Sequence, residues 1–207
     1  MRNKINKSDL IMKAALEIFD NKNFKDVTIS EIAERAGVAV GTVYEYFNNK
    51  EDLYFSIPQK TSEHFNEQLR LQLDGLYSSA EKIRKFIWFY LYYFENNPVY
   101  TELLLMELRV NKNFFNTEHY RGLSDGTTEI LILIKEGQQQ GEIRNDISPY
   151  LIRHMILGVL EHITTNWLLK GKKGDLVSFS KDTAALVLPG IILKQDDKKR
   201  EDANEII

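Results

Sequence analysis

Thr28-Ile29-Ser30-Glu31-Ile32-Ala33-Glu34-Arg35-Ala36-Gly37-Val38-Ala39-Val40-Gly41-Thr42-Val43-Tyr44-Glu45-Tyr46-Phe47-Asn48-Asn49-Lys50-Glu51-Asp52-Leu53 is the stretch whose reading decides the fold. Thr28 and Glu31 stand three apart, the spacing at which a hydroxyl and a carboxylate reciprocally satisfy the free N–H groups of a helix start. Ile29, Ile32, Ala33 and Ala36 then recur at helical spacing as an inward face, and Gly37 supplies a left-handed stop. A further helix begins near Val40 or Gly41 and runs to about Phe47. Two short helices joined by a tight glycine-containing turn predict a helix-turn-helix. The second of them has only Val43 and Phe47 to turn inward, which leaves Gly41, Thr42, Tyr44 and Glu45 facing out and Tyr46 at the edge.

Upstream, Ile11, Ala14, Ala15, Ile18 and Phe19 predict an amphipathic helix from about Ser8 to Asp20. Downstream, the spacing predicts six more helices. The first runs from Lys50 to about Leu73 and is interrupted or kinked at Pro58. The next spans Ser79–Asn96, with Ser79 as cap, and is apolar nearly all round. Others cover Pro98 to about Arg109, Thr117 to Gln140, Ser148 to Leu169, where Ser148-Pro149 makes a cap-plus-first-turn start, and Phe179 to Leu193. The expected fold class is all-α: an N-terminal three-helix helix-turn-helix domain over residues 1–50, then a larger helical ligand-binding and dimerisation domain over residues 51–195. Residues 196–207 are a charged tail without apolar anchors and are expected to be disordered.

Composition narrows the function. The 207 residues include no cysteine, which removes disulfides, thiolate metal sites and cysteine nucleophiles. His64, His119, His154 and His162 are scattered, and neither a phosphate loop nor a nucleophile elbow occurs, so neither an enzyme nor a bound cofactor or metal is expected. The longest apolar stretch, Phe86 to Phe94, is too short to span a bilayer, and the first residues lack the apolar run of a secretory signal. A cytoplasmic protein without a membrane partner is the expectation. Net charge is −3, yet residues 1–50 carry eight Lys/Arg against seven Asp/Glu while the remainder carries 19 against 23. Any nucleic-acid surface should therefore lie near the N-terminus.

The stretch 28–53 resembles the DNA-binding region of the tetracycline-repressor (TetR) family: a Thr-capped helix with Ile-Ala, then Ala-Gly-Val, then Gly-Thr-aliphatic-Tyr-x-Tyr-Phe, then Lys-Glu, in order and at the family's spacing. The resemblance implies a DNA-binding regulator with Thr28, Ser30, Ala39, Val40, Gly41, Thr42, Tyr44, Tyr46 and Lys50 at the double-stranded operator. Of these, Thr28, Tyr44, Tyr46 and Lys50 would contact phosphates. Gly41 lets the helix backbone approach the groove, and Thr42 can bond a phosphate or a base. The basic arm Arg2, Lys4 and Lys7 can add phosphate or minor-groove contacts. Two departures bear on specificity. Ala39 stands where the family often has a capping Ser or Thr, and Val40 and Glu45 replace basic or polar groups on the reading face. Val40 suits a thymine methyl; Glu45 can accept from a cytosine amine or repel phosphate.

For the larger domain, Trp88, Tyr92, Met106, Phe115 and His154 are the candidate lining of a site for a small, mostly apolar effector. By the family resemblance the last two helices pair with their copies in a homodimer, with Ile152, Met155, Val159, Ile163, Trp167, Leu186 and Ile191 at the interface and Gly158 permitting close approach. The segment Thr164 to Lys172 is similar to the end of this helix in fatty-acid regulators that bind acyl-coenzyme A. A fatty-acid or acyl thioester effector therefore stands beside a drug-like compound as the alternatives. The implied mechanism is repression at a palindromic operator, relieved when ligand moves the helix starting at Lys50 and alters the separation of the two reading helices.

Overall fold

The computed structural model describes residues 6–121 and 128–193, and the elements among them are helical. The basic arm residues Arg2 and Lys4 and the expected tail lie outside the described residues. The order is α1 (Lys7–Phe19), a 3-10 turn (Phe24–Asp26), α2 (Ile29–Ala36), α3 (Val40–Tyr46), α4 (Lys50–Leu73), α5 (Ser79–Asn96) and α6 (Pro98–Glu102). A π turn (Leu103–Glu107), a 3-10 turn (Leu108–Val110), α7 (Lys112–Phe115) and a helical turn α8 at residues 118–121 follow. Then come α9 (Thr128–Gln139), α10 (Pro149–Leu169) and α11 (Phe179–Ile191). The one β-type pairing among the described residues is an isolated bridge between Ile143 and Ile192.

The helices gather into two compact units. The first holds the residues up to Ser62 together with the segment from Asn97 to residue 121; the second holds residues 63–96 and those from 128 onward. Besides the helix-turn-helix, the first unit includes α6 to α8 and the start of α4. α4 begins in one unit and ends in the other, and it runs on through Pro58 rather than stopping there.

In the first unit α1 buries Ile11, Met12, Ala14 and Ala15, an i, i+3/i+4 stripe, and α2 buries the adjacent pair Ile32 and Ala33. Val27, Val43 and Phe47 complete this small core. The Tyr54 ring meets Phe19 and Phe24 at centroid distances of 5.1 and 4.4 Å. Its hydroxyl donates to Glu107 in the π turn; burial first, then that carboxylate, pushes the phenol well above its usual range. The single helix expected from Pro98 to Arg109 changes register twice. Leu103, Leu104 and Leu105 are all buried, as is Leu108. Consecutive residues of a regular helix lie about 100° apart, so three in a row do not share one face; the π turn re-aims them. Of the helix expected over Thr117–Gln140, residues 118–121 and Thr128–Gln139 are helical, and the residues between them lie outside the described residues.

The second unit is built around α5, which packs against α9, α10 and α11. Phe65 of α4 inserts among Phe86, Phe89, Tyr90, Tyr93 and Phe94, with ring centroids 5.1–6.3 Å apart. Burial pushes the Tyr93 phenol up to about 12. α5 is capped by Ser78, not by the expected Ser79: Ser78 and Glu81 exchange side-chain and backbone hydrogen bonds, while the Ser79 N–H donates to Glu142 at 2.6 Å. Gly137 is the tightest point. A Cβ there would stand 2.6 Å from both Ile143 Cδ1 and Ser79 Oγ. Gly137→Ala is expected to destabilise the protein by about 1–3 kcal/mol, read as a lowered urea midpoint; an unchanged midpoint would show that α5 and α9 have slack at this contact.

Candidate nucleic-acid interface

The reading helix α3 is launched by three local devices. Thr28 caps α2 as expected: its hydroxyl accepts from the Glu31 N–H at 3.2 Å, and the Glu31 carboxylate takes the Thr28 N–H at 2.8 Å and the Thr28 hydroxyl at 2.9 Å. The ammonium of Lys22, 2.6 Å away, and then these Thr28 bonds hold the Glu31 carboxyl down to about 2. Gly37 ends α2 at φ +68°, a left-handed conformation in which a side chain is strained. Ala39 then opens α3 without any side-chain cap, the departure noted in the sequence.

The third device was not foreseen. Lys50 Nζ donates to the backbone carbonyls of Phe24 and Val27 at 2.7 Å each and of Lys25 at 3.3 Å, and it sits 4.5 Å from the Phe24 ring centroid. An ammonium has three N–H donors, and here each has a carbonyl. The first residue of α4 thus ties down the turn from which α2 starts. In this DNA-free structure the ammonium expected to reach for a phosphate is turned to these carbonyls. The Thr28 hydroxyl is similarly engaged, since its proton goes to Glu31 and a phosphate oxygen offers only acceptors.

The remaining positions are presented to solvent. Ser30, Ala39 and Gly41 are exposed; Val40, Tyr44 and Tyr46 are 40%, 54% and 44% exposed; Thr42 is half-buried. Val43 is fully buried and Phe47 nearly so, which fixes which side of α3 faces inward. Nothing lies within 4 Å of where a Cβ on Gly41 would stand, so the helix backbone is bare there. α3 contains no basic residue, and Glu45 is its one charge. An exposed helix of this kind, following a glycine turn, has the form that enters a major groove.

The five residues proposed as an effector lining fall in different units. Met106 and Phe115 belong to the first unit and are 37% and 40% exposed, whereas Trp88, Tyr92 and His154 belong to the second. Trp88 and Tyr92 stack on each other at 5.1 Å and 14°, with Lys85 Nζ 4.7 Å from the Trp88 ring; Tyr92 is 43% exposed and His154 is exposed. The apolar residues of α5 that are buried, such as Phe86, Ile87 and Leu91, point to the core instead. Of the expected interface residues, Ile152, Trp167 and Ile191 are buried within the chain. Met155, Val159 and Leu186 are exposed, and Ile163 is half-buried. Among the described residues no group of three His, Asp or Glu side chains stands ready for a metal, and no helix is long and apolar enough to cross a membrane.

Fold and exposed helix together define a helix-turn-helix DNA-binding regulator with a second, all-helical unit. Residues 11–57 match the model of bacterial regulatory proteins of the tetR family, and residues 58–190 match that of the YsiA-like protein C-terminal region. The chain belongs to the TetR family of transcriptional regulators. It is 32% identical over 198 residues to the fatty acid metabolism regulator protein of Bacillus subtilis, covering 92% of this chain and 98% of that one. Among solved structures it is similar to the fatty acid degradation regulator FadR of Bacillus halodurans (28% identity, TM-score 0.77, 90% of this chain and 97% of that). It is equally similar to the transcriptional regulator FadR of Bacillus subtilis in complex with stearoyl-CoA (28% identity, TM-score 0.78, 88% and 98%).

Lys50→Met is expected to cost about 1–3 kcal/mol of stability by leaving part-buried carbonyls unpaired. It should leave the slope of log affinity against log salt on DNA unchanged, whereas loss of a phosphate contact lowers that slope by about 1. A slope change without destabilisation would return Lys50 to the DNA interface.

Proposed function

We propose that the chain is a cytoplasmic repressor that binds a roughly palindromic operator as a homodimer and is released by a long-chain fatty acyl-coenzyme A. The observation that carries this reading is the reach of the likeness: the fatty acid metabolism regulator of Bacillus subtilis aligns across both units, not across the reading head alone. The structurally similar FadR of that organism has been solved with stearoyl-CoA. The aromatic core around Phe65 and α5 is the kind of surface against which a long acyl chain is accommodated.

Dimerisation is supported by an unpartnered apolar stripe. Leu151, Met155 and Val159 on α10 and Phe179 and Leu186 on α11 are all exposed, Leu186 at 83%. Gly158, in the middle of the α10 stripe, has nothing within 4 Å of where its Cβ would be, so another helix can approach closely there. A two-fold pairing through this stripe would carry two copies of α3 to successive major grooves. In this reading Ser30, Tyr44, Tyr46 and the free backbone N–H groups at the start of α2 hold phosphates, while Ala39, Val40, Gly41, Thr42 and Glu45 face the bases.

Effector binding in the second unit acts through α4, which contributes residues to both units. A ligand shifts the equilibrium only by its difference in affinity for the DNA-competent and the released states. Fluorescence anisotropy with a duplex from the chain's own promoter region tests the proposal. Two chains should bind per duplex with nanomolar affinity at physiological salt, and stearoyl-CoA should weaken binding by roughly tenfold or more. Tight binding that is indifferent to stearoyl-CoA and to shorter acyl thioesters would remove the acyl effector from the account.

A further inference from the structure

His119 carries neither a predicted role nor one implied by the family likeness, yet it stands at a junction in the first unit. Its Nε2 lies 2.8 Å from Asp52 Oδ1 and its Nδ1 3.1 Å from Gln59 Oε1. The other oxygen of Asp52 accepts the Asn48 backbone N–H at 2.8 Å and the Asn48 side-chain amide at 2.9 Å. The Asp52 N–H in turn donates to Asn49 Oδ1 at 2.8 Å. Asn48 and Asn49 are the turn between α3 and α4, two residues beyond Tyr46. The carboxylate is thus shared: one oxygen closes the turn that ends the reading helix, and the other is held by a side chain from residues 118–121.

The surroundings favour this arrangement. Histidine and carboxylate side chains are only 26% and 22% exposed, so water competes weakly for the bond. Burial pushes the Asp52 carboxyl up, but the Asn48 N–H and the His119 ring outweigh it and leave the group below the usual carboxylate range. The histidine itself is anchored from behind: Thr117 Oγ1 accepts the Tyr120 N–H at 3.2 Å, and the Tyr120 ring packs against Phe114 and Phe115 at 5.6 and 4.9 Å.

We propose that His119 is a positioning residue for operator reading: through Asp52 it fixes the Asn48–Asn49 turn, and with it the end of α3 that carries Tyr44 and Tyr46. The inference deepens the DNA-binding reading above and rests on it. It also names the hold by which the α7–α8 segment acts on the reading helix: displacing residues 118–121 frees Asp52 to abandon Asn48.

Three variants test it. Gln places an amide N–H near the position of imidazole Nε2, Asn reaches only as far as Nδ1, and Ala donates nothing. His119→Gln is expected to keep affinity for the promoter duplex within about twofold, whereas His119→Asn and His119→Ala lose roughly tenfold, with thermal midpoints alike in all three. In the DNA-free protein the Asn48 amide should exchange its hydrogen faster in the Asn and Ala variants and not in the Gln variant. Wild-type affinity in His119→Ala, or an equal loss in all three variants accompanied by a fall in thermal midpoint, overturns the proposal. Should the wild-type protein bind no promoter DNA, the regulator reading fails by itself; Asn48 exchange then still decides whether His119 holds the turn, and unchanged exchange in His119→Ala refutes that too.

Discussion

The reading head depends on one ammonium group. α2 and α3 are 8 and 7 residues long, well short of the length at which an isolated helix holds together in water. α3 has only Val43 and Phe47 to hold it to the core. The placement of the α2–α3 pair must therefore come from its two ends. At one end, Lys50 gathers three carbonyls of the turn before α2 and so joins the start of α4 to the start of the helix-turn-helix. At the other, Asp52 closes the turn after α3. Both groups lie within the first three residues of α4. The same stretch of chain thus sets where α2 begins and where α3 ends, leaving the outward side of α3 free of structural duties.

That freedom explains the composition of the exposed side. Gly41 and Ala39 contribute almost no bulk, Val40 offers a methyl pair, and Tyr44 and Tyr46 offer hydroxyls, none of which the core needs. The lack of any basic residue on α3 distinguishes this surface from a general phosphate binder. Affinity must be drawn from hydroxyls, from backbone N–H groups and from contacts outside α3. Glu45 adds a negative charge that is costly beside a phosphate and useful only against an amine in the groove.

Much of this was legible in the residues. The Thr28–Glu31 box, the Gly37 stop and the inward pair Val43 and Phe47 are local features, and sequence spacing reports local geometry. The central place of α5 followed from its lack of a polar face. Three features were hidden for reasons of physics. The capture of Lys50 by carbonyls is invisible because backbone acceptors leave no mark in a sequence. The attachment of residues 97–121 to the first unit rests on long-range pairs, Tyr54 with Glu107, Phe55 with Phe114 and Asp52 with His119, whose members are 53 to 67 positions apart in the hydrogen-bonded cases. On α10, Ile152, Ile156 and Leu160 form one apolar stripe while Leu151, Met155 and Val159 form another, one residue out of step. Periodicity reveals two apolar faces and is silent on which one the fold consumes.

Backbone amide hydrogen exchange, followed residue by residue with and without a promoter duplex, addresses the central claim most directly. Slowed exchange on DNA should concentrate at the start of α2 and across residues 39–46, while the amides of residues 24–27, whose carbonyls Lys50 holds, stay as they are. Protection that spares residues 39–46 and appears elsewhere would contradict the account, because the helix described here as offered to the groove would then not be the one that enters it.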